Sequence, residues 1–150
     1  MVYYQHKKKQ VFIMLVVVID GQGGGMGRSI VERLRAELSD IELVAVGTNA
    51  AATANMLKGG QAQGATGENA VLYNCMRADV VIGPIGIFFA NAMLGEVTPR
   101  IAEALATCAA EKIAIPVSRC HINIMGLKDH ALSAHIGEAV EMIKKLNSRS

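Results

Sequence analysis

The chain has no tryptophan, only three phenylalanines and three tyrosines, and just 19% charged residues. Neither Tyr3-Tyr4 nor Phe88-Phe89 is interleaved with basic residues, which argues against a base-stacking surface. Lysines and arginines are scattered apart from Lys7-Lys8-Lys9, and the net charge is only +2, so no basic stripe exists for nucleic acid. Cysteines are few and odd in number: Cys75, Cys108 and Cys120 are widely spaced, with no Cys-x-x-Cys. That is a reduced, cytoplasmic pattern rather than a disulfide framework. Of the four histidines, His6 and His121 stand alone and His130 and His135 lie five apart, which is not metal-site spacing, so no metal ligand is assigned. A serine elbow and a P-loop are also missing. So is a membrane span, because the apolar run at residues 11–19 falls short of the roughly 20 residues needed to cross a bilayer. That run leads into Asp20 and a glycine cluster with no small-residue cleavage site, so it reads as a buried strand rather than a signal peptide.

What is abundant is aliphatic. Apolar residues make up 51% of 150 positions, enough for one domain with a sizeable core. Such a composition suits a sheet buried on both faces, subunit contacts, or both. Residues 1–10 carry no periodic pattern and read as a polar extension, open to disorder, ahead of a domain at residues 11–150. Residues 11–19 form strand one. Residues 27–38 form a helix with Ile30, Val31, Leu34 and Leu38 on one stripe, and residues 41–46 form strand two. This strand–helix–strand unit has the size of a mononucleotide-binding half.

Thr48 or Asn49 then caps a helix at residues 50–58, and residues 61–67 read as turns. A helix follows from about Thr66 to Arg77, then a short strand at residues 79–82 that, like strand one, stops at glycine: Gly83-Pro84-Ile85-Gly86. Residues 87–94 suggest a short buried or interface helix, and Thr98-Pro99 opens another. Residues 112–117 are strand four, with Pro116 pointing to a sheet edge or strand end. Residues 121–125 read as a fifth strand. The link Ser118-Arg119-Cys120 is too short for a crossover, so that strand is expected to be antiparallel or a bent continuation. Leu132, Ile136, Ala139, Val140, Ile143 and Leu146 mark a closing amphipathic helix. The expected fold is a single-domain, three-layer α/β sandwich with a mostly parallel sheet of four or five strands and a candidate antiparallel edge.

In such a sheet, ligands bind beyond the carboxyl ends of the strands. Gly21, Gln22, Gly23, Gly24, Gly25, Met26 and Gly27 sit at the first of those ends. Thr48 and Asn49 follow the second, Gly83, Pro84, Ile85 and Gly86 a third, and Arg119 the strand-four end. A turn from a buried strand into a helix aims backbone N–H groups and the positive helix end at one spot, as an anion requires. The alternative is that the glycines serve only a tight turn and close helix packing. The dinucleotide spacing G-x-G-x-x-G fails, since Met26 and Arg28 occupy the positions where its third glycine would fall. Thr48 and Asn49 replace the acid that would hold a ribose hydroxyl. The cofactor is therefore unnamed: a nucleotide or sugar phosphate fits the loop, and NAD is disfavoured. Asp20, Glu68 and Cys120 are the catalytic candidates. Asp20 doubles as a turn former and Glu68 as a helix-start acid, while Cys120 and His121 point to opposite faces of an extended chain.

A further set of blocks gives the chain a family likeness: Val18-Ile19-Asp20-Gly21-Gln22-Gly23-Gly24-Gly25, Gly47-Thr48-Asn49-Ala50, Gly64-Ala65-Thr66-Gly67-Glu68-Asn69-Ala70, Gly83-Pro84-Ile85-Gly86, Leu94-Gly95-Glu96 with Thr98-Pro99, and Arg119-Cys120. With these it resembles a small bacterial family, the domain of unknown function 3842 family, described as Rossmann-like. The likeness spans nearly everything from Val11 onward and leaves out residues 1–10. It implies a fold and a bacterial setting, and it carries over no activity and no catalytic residue. Two functional expectations follow. One is a cytoplasmic protein binding a small phosphorylated ligand at the glycine loop, without nucleic acid or membrane partners. The other is a non-catalytic homo-oligomeric sensor or scaffold whose apolar stretch at residues 85–94 is a subunit interface.

Overall fold

The computed structural model describes residues 11–118 and 121–149. Strands β1 (Leu15–Asp20), β2 (Glu42–Gly47), β3 (Gln63–Thr66), β4 (Val80–Pro84) and β5 (Glu111–Ile115) form one sheet in the order β3-β2-β1-β4-β5. All four pairings are parallel. The helices are α1 (Gly25–Glu37), α2 (Ala50–Leu57), α3 (Glu68–Arg77), α4 (Pro99–Thr107) and α5 (Leu132–Ser148), with a 3-10 turn at Ile85–Phe88 after β4.

β1 is central, and its lack of polar alternation has a direct cause. Val16 and Val18 enter the cluster under α1, α2 and α5, whereas Leu15, Val17 and Ile19 enter the cluster under α3 and α4. A strand covered on both faces has no solvent side to mark, and each fully buried valine contributes about 1.5–3 kcal/mol of transfer free energy. The result is a three-layer α/β domain of Rossmann-like topology. The strand order reverses between β1 and β4, and that is where open parallel sheets form their crevice.

Several sequence expectations shift. Strand one starts at Leu15 rather than Val11, because β2 offers its first partner at Glu42 and β4 at Val80; Val11, Phe12 and Ile13 are exposed. Asp79 closes the lower end of the ladder, accepting from the Leu15 N–H through Oδ2 at 2.7 Å and donating its own N–H to Leu15 O at 2.9 Å. The turn expected at residues 61–67 contains β3. This polar segment is strand only because Val44 to Gly47 supply its ladder partners. The strand at residues 79–82 runs on to Pro84, with Gly83 and Pro84 paired to Ala114 and Ile115.

The helix expected at residues 87–94 is replaced by the 3-10 turn and an irregular segment in which Asn91, Met93 and Leu94 have φ of 66°, 56° and 56°. Ile87 in this stretch is fully buried core and leaves the proposed interface. Residues 121–125 form no strand; the chain bends at His121 (φ 54°), and Val117 and Ile122 both face the strand carboxyl edge. Pro116 falls just beyond β5, an edge strand, as expected. Both edges are short: β3 has four largely exposed residues, and β5 begins with exposed Glu111 and Lys112. No helix among the described residues is long and apolar enough to cross a membrane.

Candidate functional site

Asp20, the last residue of β1, is only 5% exposed. Its Oδ1 accepts from the Gly21 N–H at 2.8 Å and its Oδ2 from the Gly27 N–H at 2.7 Å. The helix has no side-chain cap, since Gly24 holds that position in the left-handed region at φ 69°, and Asp20 satisfies one first-turn donor from the strand instead. Burial pushes the Asp20 carboxyl above its ordinary value; the Gly27 and Gly21 N–H groups oppose this, and the charge of Glu96 adds to it.

The loop carbonyls are tied back into the protein one after another. Asp20 O accepts from Thr48 N, Gly21 O from Gly24 N and Gly24 O from Arg28 N, at 2.9–3.0 Å. Gln22 O accepts from Asn49 Nδ2 and Gly23 O from Asn55 Nδ2, both at 2.9 Å. The N–H groups of Gly23, Gly25 and Met26, by contrast, have no hydrogen-bond partner among the described residues. Three donors are thus left on the loop, at the positive end of a 13-residue helix.

The glycines divide in the same way. A Cβ at Gly24 would lie 2.6 Å from Ala52 O, one at Gly21 would lie 2.7 Å from Met93 Sδ and Thr48 Oγ1, and one at Gly27 would run into Met56 Sδ. Packing explains those three. At Gly23 and Gly25 a Cβ would meet nothing within 4 Å, and neither residue needs a positive φ. The space in front of them belongs to a cavity of about 620 Å³ at the β1/β4 crevice. Asp20, Gly21, Gln22, Gly23, Gly24, Gly25 and Met26 line one side of it. Pro84, Gly86, Phe89, Met93, Leu94, Val117 and Ile122 supply an apolar wall opposite.

The remaining sequence candidates lie elsewhere. Thr48 and Asn49 are outside the cavity lining and clamp Glu96, whose Oε1 accepts from Thr48 Oγ1 at 2.8 Å, Asn49 Nδ2 at 2.5 Å and the Gln22 N–H at 3.1 Å. Asn49 also caps α2 through Ala52 N at 2.8 Å. Burial raises the Glu96 pKa, and the bonds from Asn49, Thr48 and Gln22 outweigh it, so the carboxyl is held below its ordinary range. Glu96 is the residue whose role sequence reading underrated: it joins the loops after β1 and β2 to the segment before α4. Its signals in the sequence were its place in a loop and in the Leu94-Gly95-Glu96 block.

Gly83 packs against Ile19 O, where a Cβ would clash, and Ile85 faces a neighbouring groove. Glu68 opens α3 and accepts from Thr98 Oγ1 at 2.6 Å, tying α3 to the cap of α4 and standing apart from the cavity. Arg119 and Cys120 lie outside the described residues. Among the described residues no group of three or more potential metal ligands occurs.

Fold and crevice together define a Rossmann-like α/β domain with a glycine-loop cavity at its switch point. The chain belongs to the family described as Domain of unknown function (DUF3842), which matches residues 15–148. No curated protein matches it. A similar solved structure is a dodecameric FMN-dependent Ubix-like decarboxylase from Escherichia coli O157:H7, 17% identical over 88% of this chain and 77% of that chain, with a TM-score of 0.41.

Proposed function

We propose that the protein, in a cytoplasmic setting, binds a nucleotide or another phosphorylated small molecule in this cavity, with the phosphate on Gly23, Gly25 and Met26 and the organic part on the apolar wall. The observation that carries this reading is the pair Gly23 and Gly25: neither backbone conformation nor packing within the chain calls for glycine there, whereas a ligand approaching the main chain does. The untied N–H groups at the same positions supply the chemistry.

Lysine and arginine are missing from the described cavity lining, and Asp20 already uses one helix-end donor. A single phosphate therefore suits the site better than a chain of them. Asn49 stands where a dinucleotide site would carry an acid and is occupied with Glu96, so NAD stays disfavoured.

The test is native mass spectrometry of the protein as purified, followed by thermal shift with AMP and with ribose 5-phosphate. A ligand at 100 times its Kd adds about 2.7 kcal/mol of stability. The Gly25→Val protein should fold and lose that shift; an equal shift in a folded variant overturns the reading.

A second reading, a homo-oligomeric sensor or scaffold, is favoured by one observation. Leu94 is 98% exposed, and Ile122, Ile124, Met125 and Leu127 are all exposed on the segment that follows β5. Light scattering at low concentration tests it, and a strict monomer argues against it.

A further inference from the structure

At the opposite end of the sheet from the glycine loop, where α3 leads into β4 and α4 into β5, two cysteines come together. Cys75 lies in the last turn of α3 and is fully buried. Cys108, the C-cap residue of α4, is half-buried and packs against the same apolar cluster that contains Cys75. Each thiol donates to a carbonyl three residues back in its own helix, Cys75 Sγ to Leu72 O and Cys108 Sγ to Leu105 O, both at 3.4 Å. Burial pushes the Cys75 thiol up to about 11, and the adjacent Cys108 thiol pushes the same way. Lys112, whose Nζ donates to Cys108 O at 2.7 Å, works in the opposite direction.

The two sulfurs differ in access. Cys108 lines a surface groove of about 550 Å³ between α3 and α4, shared with Leu72, Met76 and Ala104, whereas Cys75 is fully buried and does not line it. Reactivity toward an oxidant follows access, so Cys108 is the entry point and Cys75 the resolving thiol.

We propose that Cys75 and Cys108 form a covalent modification site, a dithiol that closes to a disulfide when the protein meets an oxidised low-molecular-mass disulfide. Cys108 gives its proton to water, and its thiolate attacks one sulfur of the oxidant. That S–S bond breaks, one thiolate leaves, and a mixed disulfide forms on Cys108. Cys75 then loses its proton and attacks Cys108 Sγ, expelling the second small thiolate. Two protein thiols are oxidised and the small disulfide is reduced to two thiols, with the protons taken up by the leaving thiolates. The product staples the end of α3 to the end of α4. Because burial holds the proton on Cys75, closure should accelerate as the pH rises from about 7 to about 9.

The experiment uses the full chain with oxidised glutathione at pH 8, acid quenching, alkylation and peptide mapping without reduction. The expected product links the Cys75 and Cys108 peptides and dominates over any link to Cys120. Cys75→Ala should stop at the Cys108–glutathione adduct, and Cys108→Ser should lower modification of Cys75 at least tenfold. The wild-type map is decisive even where a variant fails to fold. An adduct on Cys108 without the internal link overturns the proposal, as does an unmodified Cys108. A link that forms only in unfolding concentrations of urea overturns it as well.

Discussion

Asp20 and Gly27, seven residues apart, are joined across the glycine loop by a 2.7 Å bond from the Gly27 N–H to Asp20 Oδ2. The last residue of the central strand therefore holds a first-turn N–H of the helix that follows it, and the loop between them is a closed ring rather than an open connection. Removing the carboxylate with Asp20→Ala leaves two buried N–H donors without partners, at about 1–3 kcal/mol each. The variant should show a lower urea midpoint with an unchanged m-value.

Asp20→Asn tests the titration of the same group. The folded pKa lies above the ordinary 3.8, so the carboxyl contributes stability that is fully present below that value and is lost as pH rises through the folded value. Wild-type stability minus that of Asp20→Asn should be largest at the acid end and shrink as pH rises. Urea titrations at several pH values between 3 and 7 measure it, and a difference that grows with pH would contradict the burial of this carboxyl.

Glu96 has the opposite sign. Its folded pKa lies below the ordinary 4.5, so its contribution is present above 4.5 and is lost as pH falls through the folded value. Glu96→Gln should flatten the acid limb of the stability profile and loosen the loop at Gln22. Hydrogen exchange of the Gln22 amide, which Glu96 accepts at 3.1 Å, reports the second effect independently.

Neighbouring glycines should respond with opposite signs. Gly24→Ala forces a side chain into the left-handed region against Ala52 O and should cost about 1–3 kcal/mol. Gly25→Ala places a methyl in open space on the first helical turn and should gain about 0.4–1 kcal/mol, chiefly by restricting the unfolded chain. Chemical denaturation of the two variants side by side checks the contrast.

Thr98 caps α4 through the Ile101 N–H at 3.2 Å while donating to Glu68. Thr98→Ala should cost about 1 kcal/mol through the cap alone. If it costs no more than that, as measured by thermal unfolding, the bond to Glu68 has no stabilising role.

The central β1–α1–β2 unit was legible to within a few residues because apolar runs, helical spacing and glycine breaks all agreed there. Strand β3 was not, since Gln63, Gly64, Ala65 and Thr66 carry no strand signal and become one only by pairing with β2. The glycine loop could be read as a turn toward a ligand edge, whereas the division of labour among its glycines could not. That division depends on where Ala52, Met56 and Met93 arrive in space. The link from Glu96 to Gln22 spans 74 positions and leaves no local trace. Thr48 and Asn49 were found as polar groups at a strand end; only the fold shows that they are spent on Glu96.

The two sheet margins bear on how the protein behaves at high concentration. A chain that is 51% apolar and built on a parallel sheet is at risk of recruiting strands from its neighbours. Here one margin offers a four-residue template, and the other opens with an acid and a lysine and is followed at once by Pro116, which cannot extend the ladder. Neither margin is long or apolar enough to template a growing β-stack, so the ends of the sheet offer a neighbouring chain little to pair with.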